Sequence, residues 1–355
     1  MPRPIPKISL RDFAARRAEI GAQIIDAAEN VGFFILVDQE RPSKQDIEEM
    51  FELSTKFFAL PDEIKGQWPF VRENNTGWER DAQVRPSTGV ADPKESLQLQ
   101  WFRRNTYWPH DLPNLPDFEA RVARFHTQVH ELSMDILSFF AVALGWPEGY
   151  FREAHDLDHG DALSTLRLLR YHAQDGVGAA KATSTSGPPP MRAGAHADFD
   201  VLTLLFQQTG GDGLEVLPGR EAHGTFDTLH SAMSGSGGKG ATDAEWTPVP
   251  AQTGEITVNI GDMLMSWSDD RFKSLIHRVR MPNPSESGKP RNSMAYFTQP
   301  RPQVIVQGPT RKYAPMTAQD YILSAMRKYY KATQGQNEES QTKAEKAAPL
   351  VAAAA

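Results

Sequence analysis

The reading turns on Arg192-Ala-Gly-Ala-His196-Ala-Asp198-Phe-Asp-Val-Leu-Thr-Leu-Leu-Phe206. His196 and Asp198 are two residues apart. On a strand or at its end, residues i and i+2 point the same way, so both side chains reach one point in space. The apolar run after them, Val201 to Gln207, reads as a strand. Outward from it lie further short candidates: Leu163–Tyr171, Leu214–Leu217, Glu255–Ile260, Leu275–Val279 and Arg291–Phe297. Many short strands broken by Gly and Pro predict a sandwich or jelly roll.

The strand around Ser274-Leu-Ile-His277-Arg-Val279 offers a second imidazole. Two imidazoles and one carboxylate on one face of an ion form the donor set of the non-haem Fe(II) facial triad. Three coordination positions stay open, two for a chelating 2-oxo acid and one for O2. His196, Asp198 and His277 are therefore the expected metal ligands and catalytic centre. His-x-Asp alone is weak, and His159-Gly160-Asp161 repeats the spacing after an acidic, irregular stretch containing His155, Asp156 and Asp158. That copy reads as a solvated loop.

Arg291-Asn-Ser293 follows His277 on another strand candidate. Arginine binds a carboxylate through two parallel hydrogen bonds, and a serine hydroxyl adds a donor. The two share a face and suit the far carboxylate of 2-oxoglutarate. Tyr171, on a different strand, can bring a phenol to the same group.

Helical periodicity runs from Asp12 to Asn30, from the candidate cap Ser43 through Phe58, and from Pro116 to Leu144. Phe33–Val37 reads as a buried strand and Thr317–Tyr330 as a closing helix. Trp68 to Gly89 reads as irregular loops. Low-complexity insertions at Gly176–Pro190 and Ser231–Thr242 read as mobile loops. The expected organisation is an N-terminal helix and strand region at 1–160, a core at 161–310, a C-terminal helix at 311–332 and a disordered tail at 333–355.

The composition limits the alternatives. The chain has 355 residues, 39% hydrophobic and 23% charged, and no cysteine, which excludes disulfides, thiolate metal sites and cysteine nucleophiles. A net charge of -7 argues against a basic nucleic-acid surface. No secretory h-region and no spanning segment is present, so a cytoplasmic home and no membrane partner are expected. A glycine-rich run at Gly235–Gly240 lacks a phosphate-loop ending, and no Gly-x-Ser-x-Gly elbow occurs.

With these residues in view, the chain resembles the isopenicillin-N-synthase-like family of Fe(II)/2-oxoglutarate oxygenases over most of residues 5–300. Asn30-Val-Gly-Phe-Phe34, Phe57-Phe-Ala-Leu-Pro61-Asp-Glu-Ile-Lys65 and a Lys94-Glu95-Ser96 turn carry the resemblance early. The order His196-x-Asp198, His277, Arg291-x-Ser293 carries it late. Leu166-Arg-Leu-Leu-Arg-Tyr171 and Ser293-Met-Ala-Tyr-Phe297 are most similar to small-molecule members, including thymine 7-hydroxylase-like enzymes. The resemblance implies an α+β fold, with a double-stranded β-helix (distorted jelly-roll) core flanked by helices. It implies Fe(II), 2-oxoglutarate and O2 as the reactive set, with Tyr171, Arg291 and Ser293 holding 2-oxoglutarate. It also implies oxidation of a C–H bond of a small molecule, with release of succinate and CO2. The asparagine common in plant members is absent, since Leu169-Arg170-Tyr171-His172-Ala173 replaces their Asn-Tyr-Tyr-Pro-Pro run.

Alternation extends the reading to substrate. If Tyr171 faces inward, so do Leu169 and Arg167; if Arg291 and Ser293 do, so do Ala295 and Phe297. Arg167 then either grips a substrate carbonyl or carboxylate or pairs with a structural acid, and Phe297 can stack on a flat ring. Phe199 and Trp267 are further pocket candidates, and Trp78 and Arg80 candidates for a lid. An iron oxidase without 2-oxoglutarate, a zinc hydrolase on the same ligands and a non-catalytic jelly-roll module remain open on sequence alone, as does the oligomeric state.

Overall fold

The computed structural model describes residues 4–71, 75–83, 91–173, 191–221, 246–286, 288–325 and 327. The two low-complexity insertions and the tail from 333 onward lie outside them.

The chain starts with β1 (Lys7–Ser9), α1 (Arg17–Asn30) and β2 (Phe33–Val37). Ile20, Ile24 and Ala28 of α1 are buried at the expected spacing. Gly32, at φ +77°, turns the chain from α1 into β2. Helix α2 (Lys44–Phe58) is closed at its start by a capping box: Ser43 Oγ accepts from Asp46 N at 3.1 Å, and the Asp46 carboxylate accepts from Ser43 N at 2.9 Å. Then come α3 (Asp62–Lys65), β3 (Gly77–Arg80), β4 (Lys94–Gln100), α4 (Arg104–Tyr107), the long α5 (Phe118–Ala143) and α6 (Tyr150–Ala154). The second half is strand-rich: β5 (Thr165–Tyr171), β6 (Met191–His196), β7 (Leu202–Gln207), β8 (Leu214–Glu221), β9 (Thr247–Pro248) and β10 (Ile256–Ile260). It continues with α7 (Asp262–Trp267), β11 (Leu275–Arg280), β12 (Arg291–Thr298), β13 (Ile305–Val306) and β14 (Met316–Thr317). Residues 318–325 are helical, at the place expected for the closing helix.

Eight strands form one sheet in the order β1-β2-β10-β7-β12-β5-β4-β3, and β6-β11-β8-β9 form a second. Side chains from both meet in one apolar cluster: Phe33, Ile35, Leu169, Tyr171 and Ala295 from the large sheet, Ala193, Leu214, Val216, Leu275 and Val279 from the small one. The two sheets therefore face each other as the expected jelly roll. The other face of the large sheet, with Leu97, Leu168, Leu204, Phe206 and Met294, packs on α1, α2 and α5. The N-terminal region does more than pack on the core, because β1, β2, β3 and β4 are hydrogen-bonded members of the large sheet.

Two local expectations change. Lys94-Glu95-Ser96 is not a turn but the start of β4, buried along its whole length. Trp78 and Arg80 lie on edge strand β3, within the span read as loops, and do not form a lid. Trp78 Nε1 donates to Glu95 Oε2 at 3.0 Å, Lys65 Nζ sits 2.7 Å from the same oxygen, and Arg80 pairs with Asp62. Glu95 is 3% exposed. A carboxylate buried that deeply has to be compensated, and these donors do so on the helix side of the sheet.

Candidate active site

Cross-strand register places the inward side chains of the large sheet in rows. One row runs Phe33, Asn259, Thr203, Phe297, Thr165, Gln100. The next runs Ile35, Thr257, Leu205, Ala295, Arg167, Gln98. A third holds Gln207, Ser293, Leu169, Ser96 and Glu79, and a fourth Arg291, Tyr171 and Lys94. Successive rows are two residues apart, roughly 6.7 Å along a strand.

The first row supports the metal cluster. His196 on β6 is the cross-strand neighbour of His277 on β11, and their rings are 4.3 Å apart. Asp198 follows the end of β6. His196 Nε2 is 3.9 Å from Asp198 Oδ1, and His277 Nε2 is 3.9 Å from Asp198 Oδ2. One ligand atom from each of the three residues lies within 4.8 Å of the others. His196 Nδ1 faces the Gly194 carbonyl at 2.7 Å and His277 Nδ1 faces that of Leu275 at 3.3 Å, which leaves both Nε2 atoms for an ion. Phe33 sets its ring edge-on to His277 at 5.6 Å. The donor set and its tautomers fit a divalent iron.

Asp198 is itself oriented. Its Oδ2 accepts from Thr203 Oγ1 at 2.6 Å and from Asn259 Nδ2 at 2.9 Å, both in the first row. Thr203 Oγ1 also lies 3.0 Å from Asp200 Oδ2. Burial, and then the charge of Asp198, push the Asp200 carboxyl well above its ordinary range. A neutral Asp200 can donate to Thr203 while Thr203 donates to Asp198. Gly261 makes this fit: a Cβ there would fall 2.1 Å from the Asp200 carbonyl oxygen. Asn259, Thr203 and Asp200 escaped sequence reading, although Asp200 and Thr203 stand in the deciding stretch itself.

The third and fourth rows carry the anchor. Arg291 is 2% exposed. Its Nε donates to Gly211 O at 2.8 Å, Nη2 to Gln207 Oε1 at 2.8 Å and Nη1 to Ser293 Oγ at 3.2 Å, and its guanidinium lies 5.3 Å from the Tyr171 ring centre. Tyr171, Arg291 and Ser293 are thus brought together. Burial lowers the Arg291 pKa, and among the described residues no carboxylate lies within ion-pair distance of it. A buried guanidinium served only by neutral acceptors fits an incoming carboxylate.

Arg167 and Phe297 share the interior as alternation predicted, with the Arg167 guanidinium 4.9 Å from the Phe297 ring centre. Phe199 is partly buried beside Asp198. Trp267 is a correction. It is fully buried on α7, on the helix side of the large sheet, with Phe151 5.1 Å and Tyr150 6.0 Å from its ring, so it is core and not pocket. Glu79 went unrecognised, and its Oε1 accepts from Ser96 Oγ at 3.1 Å and Gln98 Nε2 at 3.0 Å on the inner face. His159 and Asp161, the second His-x-Asp, bond each other at 2.9 Å on an exposed turn.

Comparison with known proteins gives the class of the chain. Residues 5–115 match the model of the N-terminal region of non-haem dioxygenases in morphine synthesis, and residues 164–300 match that of the 2OG-Fe(II) oxygenase superfamily. A proline hydroxylase from Petromyces alliaceus is 30% identical over 321 residues, 85% of this chain and 89% of its own. A 2-oxoglutarate-Fe(II) type oxidoreductase from Emericella nidulans is 27% identical, covering 96% of this chain and 93% of its own. The chain belongs to the 2OG-Fe(II) oxygenase superfamily and is an iron(II)- and 2-oxoglutarate-dependent oxygenase, using O2 as co-substrate. Within that class it is similar to the full-length thymine 7-hydroxylase of Neurospora crassa, solved with alpha-KG and 5-formyluracil: TM-score 0.72, 25% identity, 92% of this chain and 96% of that one.

Proposed function

We propose that this enzyme hydroxylates a C–H bond of a small, flat, polar molecule, with iron on His196, Asp198 and His277 and the far carboxylate of 2-oxoglutarate on Arg291, Ser293 and Tyr171. The observation that carries the reading is the shared barrel interior: a three-ligand cluster on the first row and, two to three rows away, a buried guanidinium with no carboxylate within ion-pair distance among the described residues. When bound, iron would bring together O2, the four-electron oxidant, and 2-oxoglutarate, which supplies two of those electrons on becoming succinate and CO2 while the substrate C–H bond supplies the other two.

The chain's part is positioning. Thr203 and Asn259 hold Asp198 by one oxygen, so the other keeps a fixed direction. Arg291 and Ser293 fix one end of the co-substrate. The apolar inter-sheet cluster keeps water from the space between.

Arg167 and Phe297 define the substrate wall. A guanidinium donates to carbonyl or carboxylate oxygens, and an aromatic face accepts a planar ring. The Neurospora crassa enzyme has also been solved with thymine, a flat ring bearing carbonyls. We assign the protein to the cytoplasm. Among the described residues, no helix is long and apolar enough to cross a membrane.

Succinate release in the presence of planar heterocycles, compared with aliphatic amino acids of similar size, tests the reading. A heterocycle should stimulate turnover, and Arg167→Ala should raise its KM on the order of 10-fold or more while leaving 2-oxoglutarate binding intact. Stimulation by aliphatic compounds alone, or an unchanged KM in folded Arg167→Ala, overturns the substrate assignment.

A further inference from the structure

Arg291 is not the only buried cation at the anchor end of the barrel. Arg192 on β6 is 3% exposed. Its neighbour Ala193 pairs with Val279 and packs in the inter-sheet cluster with Tyr171. The Arg192 Nη2 reaches the Lys289 carbonyl, two residues before Arg291, at a long 3.4 Å. Its Nε is buried and has no acceptor among the described residues. The nearby Glu286 carboxylate is engaged by Arg280 at 2.7 and 2.9 Å. Burial, and then the charge of Arg291, draw the Arg192 pKa down to about 10, so it stays protonated at neutral pH.

Two buried guanidiniums are thus near enough to repel each other. Among the described residues neither has a carboxylate within ion-pair distance. Neutral acceptors satisfy Arg291, but Arg192 is left with an unmet N–H. Buried charge in this state calls for an anion.

We propose that Arg192 is a second cation for the far carboxylate of the co-substrate and sets the preference for a dicarboxylic 2-oxo acid over a monocarboxylic one. The inference rests on the anchor assignment of Arg291. Arg192 reaches the backbone two residues before Arg291 and feels the charges of Arg291 and Tyr171, whereas Arg167 and Phe297 line the wall assigned to substrate. The anion it meets is therefore the co-substrate's.

The test titrates anaerobic Fe(II)-loaded protein with 2-oxoglutarate and, separately, with pyruvate, which lacks the far carboxylate. The visible chelate band reports binding. Arg192→Gln should weaken 2-oxoglutarate on the order of 10-fold to 100-fold, as loss of a charged hydrogen bond does. Pyruvate and Fe(II) affinities should not move, and Arg192→Lys should recover much of the loss. Unchanged 2-oxoglutarate affinity, or equal weakening of both acids, overturns the proposal. If Arg192→Gln does not fold, Arg192→Met tests the same charge at similar length. Arg291→Gln is the control: if it also leaves 2-oxoglutarate affinity unchanged, the anchor assignment fails as well. If only the Arg192 variants are silent, the anchor stands and this inference alone falls.

Discussion

The two faces of the eight-stranded sheet are built from the same strands and follow opposite rules. On β5, Leu166 and Leu168 point to the helices, while Arg167, Leu169 and Tyr171 point into the barrel. On β4, Leu97 and Leu99 face the helices, while Lys94, Ser96, Gln98 and Gln100 face inward. The helix side is mainly a packed apolar layer, its few buried polar groups such as Glu95 and Lys65 paired with each other, and its task is stability. The barrel side keeps buried polar groups, which cost folding energy and have value only if they hold ligands. Damage to one face should therefore appear as lost stability, and damage to the other as lost binding.

The largest expected effect that separates the faces is on stability. Trp267→Ala removes a fully buried indole from the helix side and should cost about 3–5 kcal/mol. Phe297→Ala, on the half-buried barrel side, should cost less than about 2 kcal/mol and act mainly on substrate KM. Chemical denaturation of both variants checks this, and equal losses would erase the distinction.

Acid sharpens the comparison. Burial holds the helix-side histidines low: His126 at about 3, His130 at about 4 and His155 at about 3. An unfolded histidine titrates near 6.5, so between those values the unfolded chain binds more protons. Stability should therefore fall as pH drops below about 6.5, by about 1.4 kcal/mol per pH unit for each histidine. His126→Leu should flatten that slope by about one proton, measured as denaturation midpoints from pH 7 to 5. An unchanged slope would show that His126 is not buried neutral.

The smallest effect probes how the barrel side is organised. Asn259→Ala removes one donor to Asp198 and should weaken Fe(II) by about 10-fold to 100-fold, the usual cost of losing a partner of a metal ligand. Overall stability should change little. Iron affinity equal to wild type would mean that Thr203 alone orients Asp198.

The same contrast explains what the sequence made legible. Strands β5, β7, β10, β11 and β12 announce themselves because one face is apolar and their lengths are ordinary. His196, Asp198, His277, Arg291 and Ser293 could be picked out because their order along the chain is specific. Strand β4 could not be. Its polar alternate residues face the barrel interior, and a polar face toward a ligand-holding interior reads the same as one toward water. Trp78 and Arg80 looked like loop residues because β3 is a four-residue edge strand in a polar stretch. Trp267 looked like a pocket residue because an aromatic near the ligand strands gives no sign of which side of the sheet it will join. Arg192 opens the deciding stretch but sits where the pairing of β6 with β11 is irregular, so simple alternation did not assign its face.

The central claim is that one barrel interior holds iron and 2-oxoglutarate together. The most direct measurement is anaerobic titration of the protein with Fe(II) and 2-oxoglutarate, read by the visible charge-transfer band of the chelate. The band should require both components and vanish in His196→Ala, while Trp267→Phe keeps it. A protein that binds Fe(II) but gives no band with 2-oxoglutarate, or a band that survives loss of His196, would contradict the account.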